Sequence, residues 1–188
     1  MRLSYRAEIQ PTSTQRQALL QHTGNARWAY NWGLARCKEA HVQWMSLGKP
    51  EKWGGWPTAI SLHRELNALK KAPVETGGVP WMYEASKAAP QEALRDLDRA
   101  LKNFMAGRAK YPRFKSRNRG IGGFRLTGAI KTARRSIQLP RIGRTRFKPG
   151  EQGYLPFGKH SQVSITERAG RWFVSVVGQE EAGAEPNG

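Results

Sequence analysis

The stretch RLSYRAEIQ, Arg2 to Gln10, places Leu3, Tyr5, Ala7 and Ile9 on one side and Arg2, Ser4, Arg6 and Glu8 on the other. A period of two with one apolar side marks a strand with one buried face. Pro11 ends it, and no partner strand lies nearby in the chain. The β-rich grammar returns only at FRLTG (124–128), SIQLPRIG (136–143), QVSITE (162–167) and RWFVSVVG (171–178), the last pair joined by RAGR (168–171). An isolated hairpin is marginal in water, so these segments need the first strand, or each other, to close a sheet. The economical architecture is α+β: a small β-barrel or sheet opened by a strand from Leu3 to Ile9, interrupted by a helical insertion, and completed by the C-terminal strands.

The insertion carries the helical period. TSTQ offers a helix start in which Thr14 caps and Gln17 answers three residues later. Leu19, Thr23, Ala26, Tyr30, Leu34, Cys37, His41 and Trp44 follow at spacings of three and four, the stripe of one long helix or of a helix pair hinged at Gly24. Gly48, Pro50, Gly54, Gly55 and Pro57 break that pattern. A shorter helix is expected from Ser61 to Lys71, APVETGGVP (72–80) is a loop, and a third helix carries Leu94, Leu97, Leu101 and Phe104 and ends near Gly107. The expected division is residues 1–11 with 112–180 for the split barrel, 12–111 for the helical part, and 181–188 for a Gly/Glu/Ala/Pro-rich linker or tail.

Charge narrows the function. The 188 residues carry a net charge of +18, and sixteen of the 32 basic residues fall between Arg99 and Lys148, a span without one acid. Such an excess repels itself in the folded state and is readily accommodated when phosphates neutralise it and release counterions, so nucleic acid is the leading partner. No apolar run approaches the ~20 residues of a membrane-spanning helix, and the N-terminus lacks a signal peptide's apolar stretch. Cys37 stands alone, and His22, His41, His63 and His160 have no metal-ligand spacing, so no metal site and a reducing cytoplasmic setting, with association to the nucleoid, are expected.

The densest basic segment is KYPRFKSRNRG, Lys110 to Gly120. If extended, Arg113, Lys115, Arg117 and Arg119 project to one side, suited to a phosphate backbone, and Phe114 to the other. Tyr111 and Phe114 stack on bases or fix the loop to the barrel core, with core anchoring the expectation for Phe114 beside Pro112. Lys110, Arg134, Arg135, Arg144 and Arg146 extend the phosphate-binding set. Arg27 and Asn31, one helical turn apart, face nucleic acid or stabilise a helix contact. Tyr30 and Trp172 are expected in the core.

Five ordered blocks carry a family resemblance: GNARWAYNWGLA (24–35), EALRDLDRALKNF (92–104), YPRFKSR (111–117), SIQLPRIG (136–143) and GRWFVSV (170–176). Together they resemble the N-terminal half of TnpB, the RNA-guided nuclease of small insertion sequences related to type V CRISPR effectors, over essentially the whole chain. The resemblance implies an oligonucleotide-binding-like wedge barrel and a helical recognition domain. These would grip a guide-like structured RNA and read a target-adjacent motif on double-stranded DNA. It implies motif reading by Lys87, Gln91 and Thr127, with Ala88 and Gly128 departing from the family's aromatic and Asn. Lys87 and Gln91 sit four apart, so they share a helix face, and such side chains suit guanine and adenine edges.

The family's nuclease half opens with an Asp on its first strand, expected beyond Gly188, so no catalytic residue, metal or other cofactor is assigned here and Mg2+ would belong to that half. Asp96 and Asp98 are the only aspartates, and two residues apart on a helix they diverge by roughly 200°. Two other readings stand beside this one. One is a helix-turn-helix DNA binder of a transposase system, built around STQRQALLQHTGNARWAYN with Gly24 in the turn. The other is a structural RNA-binding protein. The sequence does not set the oligomeric state.

Overall fold

A computed structural model describes residues 2–150 and 153–179. Strand β1, Arg2–Gln10, leads into helix α1, Ser13–Ser46; α2 spans Ala59–Lys71 and α3 spans Ala88–Met105. Five strands follow: β2 Gly123–Ala133, β3 Ser136–Leu139, β4 Gly143–Lys148, β5 Gly158–Arg168 and β6 Arg171–Gln179. They form a closed antiparallel barrel in the order β1-β4-β3-β2-β5-β6. The first strand closes it, pairing Tyr5 with Val176 and Ile9 with Trp172 on one edge, and Ile9 with Phe147 on the other. Closure removes the exposed edges that an open sheet would leave.

Alternation decides which side chains fill the barrel. Ala7 and Ile9 of β1, Val163 and Ile165 of β5, and Trp172, Val174 and Val176 of β6 are all buried, as are Leu126, Ile130, Ile137, Leu139 and Phe147. The expected core role of Trp172 holds. The side chain of Leu3 and the tail 181–188 lie outside the described residues. A bulge interrupts β2 between Thr127 and Ile130, where Gly128 has φ +111°. That conformation strains any residue with a Cβ, which gives a backbone reason for glycine at this position.

Helix α1 departs from the sequence reading at its cap and at the end of its stripe, and decides between the two readings left open at Gly24. Its cap is Thr12, not Thr14: the Thr12 hydroxyl accepts from the Gln15 N–H, and the Gln15 side chain accepts from the Thr12 N–H. This box forms earlier in the chain because Pro11 and Thr12 already leave the strand. The helix runs through Gly24 without a hinge. Its buried stripe ends near Ala40, so His41 is exposed and Trp44 only half-buried.

Gly33 explains how closely α1 and α3 approach: a Cβ there would lie 2.8 Å from Leu94 and 2.9 Å from Leu97. Leu62 and Leu66 of α2 join the same core. Helix α3 then rests on the barrel through Arg125 of β2, whose guanidinium pairs with Asp96 and, at 3.3 Å, with the buried Glu92. Along α3, Leu94 and Leu97 are fully buried while Phe104 is 41% exposed, because the last turns overrun α1's contact.

Candidate nucleic-acid interface

The basic segment between α3 and β2 does not form a free loop. It runs back along α1, residue against residue. The Lys38 ammonium lies 4.5 Å from the Phe114 ring centre, Asn31 meets Lys115, and Arg27 reaches the Ile121 carbonyl at 3.3 Å. Asn31 makes a two-bond clamp: its Nδ2 donates to the Lys115 carbonyl at 2.9 Å and its Oδ1 accepts from the Lys115 N–H at 2.8 Å. The backbone of the segment is thereby pinned at Lys115. Arg27 and Asn31 thus use polar atoms for the helix contact that the sequence offered as one of two roles.

Two sequence expectations for this segment are corrected. Phe114 does not enter the barrel core; it is 45% exposed under Lys38, and Pro112 is the buried residue instead. The one-sided alternation also stops early, because Arg117–Arg119 form a 3-10 turn capped by Ser116. A 3-10 turn rotates side chains by a third of a circle per residue, so Arg117 and Arg119 no longer share the face set by Arg113. Tyr111 packs edge-on against Phe104 at 5.1 Å, and Tyr30 is buried beneath Lys115.

Lys115 is exposed as a residue, yet its ammonium sits 4.2 Å from the Tyr30 ring centre. Burial of that ammonium pulls its pKa below the ordinary lysine value, Asp96 acts against the shift, and Arg125 adds to it. A cation over an aromatic face gains attraction as it loses water, which helps hold this side chain against α1.

Cations from the continuous run of charge in the sequence are spread over several grooves, two of which gather three or more of them. One, of about 350 Å3, is lined by Arg27, Arg113, Lys115, Arg119 and the Gly120–Gly123 backbone. The other, of about 690 Å3, lies on the barrel and is lined by Arg135, Arg144, Arg146 and Lys148 with Gln10. Strand pairing builds the second: Arg146 stands opposite Gln10 on one side and Ser136 on the other. Lys110 and Arg134 are exposed, with Arg134 in the turn between β2 and β3. Neither lines either of these grooves.

Residues outside the sequence-selected set extend the barrel's cationic surface. Arg6, Lys148, Arg168 and Arg171 line a further groove of about 810 Å3. Arg6 lies 4.1 Å from the Phe173 ring centre, and Arg171 pairs with Glu8 at 3.4 Å. The outward-facing positions of β1 and β6 carried the signal, since the even residues of the opening strand include Arg6.

Lys87 is the exposed cap residue of α3, and Gln91, half-buried, follows one turn later. Thr127 is half-buried on β2 at the bulge. Among the described residues no three His, Cys, Asp or Glu side chains converge on a possible metal position. Asp96 and Asp98 are instead committed to Arg125 and Lys102.

His22 shows the tautomer that holds the junction of helices. Its Nδ1 faces the Ala18 carbonyl at 2.6 Å and its Nε2 accepts from the Ser86 N–H at 3.0 Å. Burial pushes its pKa down, the Ala18 carbonyl acts against this, and Arg141 adds to the depression. Its ring stacks on Phe124 at 5.2 Å. Burial pushes the Cys37 thiol up to about 11, with Asp98 adding to the effect.

The chain thus combines a closed barrel, a helical insertion and cationic grooves. Residues 1–43 match a family described as a helix-turn-helix domain, although in this structure that segment is β1 and one uninterrupted helix. The chain is 27% identical over 183 residues, 95% of its length, to a candidate RNA-guided DNA endonuclease, InsQ, of Escherichia coli strain K12. It is 28% identical over 180 residues, 93% of its length, to a candidate RNA-guided DNA endonuclease of Streptomyces pristinaespiralis. The resemblance carried by the five ordered motifs therefore extends along nearly the whole chain. The chain spans 40% of the length of each of these curated relatives.

Proposed function

We propose that this chain is the nucleic-acid-gripping portion of an RNA-guided DNA endonuclease of the TnpB type, acting in the cytoplasm at the nucleoid. The carrying observation is the spread of a one-signed charge run over several grooves, two of which gather three or more of its cations, one of these pinned by the Asn31 clamp. Solvated basic faces normally intersperse both signs, whereas these grooves are lined by guanidinium and ammonium groups. Similarity over 95% of the chain to a candidate RNA-guided endonuclease supports structured RNA as the ligand.

In this reading Arg113, Lys115, Arg117, Arg119, Arg135, Arg144 and Arg146 meet RNA phosphates. Phosphate contacts set affinity and register, and base contacts set sequence preference. Lys87, Gln91 and Thr127 read the target-adjacent motif on duplex DNA from the α3 end and the β2 bulge. No residue of this portion is assigned to phosphodiester cleavage.

The test is a salt series with a structured RNA on the purified chain, comparing Arg113→Ala with Arg119→Ala and Arg144→Ala with Arg146→Ala as two double variants. Removing one phosphate-binding cation lowers the logarithmic salt slope by about 0.7 to 0.9, so each pair is expected to lower it by about 1 to 2. Folded double variants with unchanged affinity and slope refute the reading. Tight RNA binding without RNA-dependent DNA binding, once the full-length relative is assembled around this portion, favours the structural RNA-binding alternative.

A further inference from the structure

Helix α1 has two glycines in its buried half, and they differ. Gly33 is required by packing, as its missing Cβ makes room for Leu94 and Leu97. Gly24 is not: a Cβ there would meet nothing within 4 Å. Glycine in a helix interior weakens the helix relative to alanine, so a glycine with open space above it is unexplained by the fold. The space above Gly24 is a groove of about 450 Å3 lined also by Asn25, Trp28, Trp81, Arg27, Lys115 and Arg117.

Aromatic and cationic side chains both line that space. Trp28 lies nearly parallel to Trp32, with ring centres 5.9 Å apart and planes 9° apart, and receives Trp81 edge-on at 6.0 Å. Trp81 is 37% exposed. The cations are Arg27, Lys115 and Arg117, the first two fixed by the contacts that pin the basic segment. Asn25, only 1% exposed, lines the same groove, and its Nδ2 has no hydrogen-bond partner among the described residues. A buried amide N–H is costly to leave unpaired.

We propose that this groove seats one unpaired nucleobase of the bound RNA, stacked on the Trp28–Trp81 wall with its flanking phosphate on Arg27 and Arg117. Indole faces accept any base because every base offers a π-face. Gly24 leaves the floor clear. The proposal deepens the reading that the chain binds RNA and rests on it. It converts part of that binding from tracking a backbone to holding a splayed nucleotide, the usual way proteins recognise single-stranded RNA.

The test measures binding of the full chain to an unstructured oligouridine of about 12 nucleotides, within the span one small barrel covers, and to a blunt RNA duplex of equal length. Gly24→Leu fills the groove while favouring the helix. Its melting temperature is expected to hold or rise, its single-strand affinity to fall about five- to a hundredfold, and its duplex affinity and salt slope to stay unchanged. Trp81→Ala is expected to lose single-strand affinity similarly, and Trp81→Phe to keep most of it. Wild-type single-strand affinity in both Gly24→Leu and Trp81→Ala overturns the proposal alone, as does an equal loss toward both probes. A wild-type chain that binds neither RNA overturns the functional reading and this proposal together.

Discussion

Arg125 joins the helical insertion to the barrel, and replacing it with Met tests that junction. In the folded protein its guanidinium pairs with Asp96 and with Glu92, whose side chain is only 5% exposed. Glu92 keeps one other cation, Arg95, at 2.5 Å, but that arginine's side chain is 54% exposed and is less able to compensate a buried charge. Breaking a buried pair typically costs about 3 to 5 kcal/mol because the partner is left uncompensated. With Arg95 still in place, about 2 to 4 kcal/mol is expected. For a chain of this size each kcal/mol moves the melting temperature by about 2 to 4 °C, so Arg125→Met should lower it by about 5 to 15 °C. Urea titration of Arg125→Met, Glu92→Leu and the double variant closes a cycle. The double variant is expected to recover at least ~1 kcal/mol relative to the sum of the singles, since replacing both members of a buried pair with apolar groups is often neutral. A destabilisation below about 1 kcal/mol in Arg125→Met, or simple additivity in the cycle, would show that α3 is held on the barrel by its apolar packing and refute the reasoning.

Three further outcomes are expected. Asn31→Ala removes both bonds to the Lys115 backbone, worth about 0.5 to 1.5 kcal/mol each. Hydrogen exchange at the Lys115 amide should accelerate while the salt slope of RNA binding stays constant, since Asn31 carries no charge; unchanged exchange would show that Asn31 does not hold this segment. His22 is held neutral, so its folded pKa lies below the unfolded value near 6.5. On acidification the unfolded state takes the proton first. This contribution is therefore complete above about pH 6.5 and is lost as pH falls below it, by at most about 1.4 kcal/mol per unit. Denaturation midpoints between about pH 8 and 5 should show a shallower acid decline in His22→Gln, the remainder belonging in part to His63, which burial also depresses with help from Lys70, Arg95 and Lys87. Cys37, with its thiol near 11, should resist alkylation at about pH 8 until the chain is unfolded, and rapid labelling of the native protein would contradict its burial.

Local periodicity in the sequence determined the parts of this protein that depend on one face being apolar. The opening strand, the four C-terminal segments and the helix bearing Leu94 and Leu97 could be read because a side chain's burial repeats every two or 3.6 residues. The missing local partner for residues 3–9 showed that this strand must find one far along the chain, and only the structure shows that it pairs with both β4 and β6 to close a barrel. The charge run likewise pointed to a polyanionic ligand. Tertiary structure alone decided where those charges point. Lys110 to Gly122 has no sustained period, so its faces are set by residues more than eighty positions away, namely Asn31 for Lys115 and Arg27 for Ile121. That is why Phe114 lies under Lys38 instead of in the core, why the alternation of Arg113 to Arg119 breaks at a 3-10 turn, and why one cationic run is spread over several grooves. Gly24 makes the same point on a regular helix: the sequence offered it as a hinge, and only the empty space above it shows that the helix continues while the groove beside it stays open.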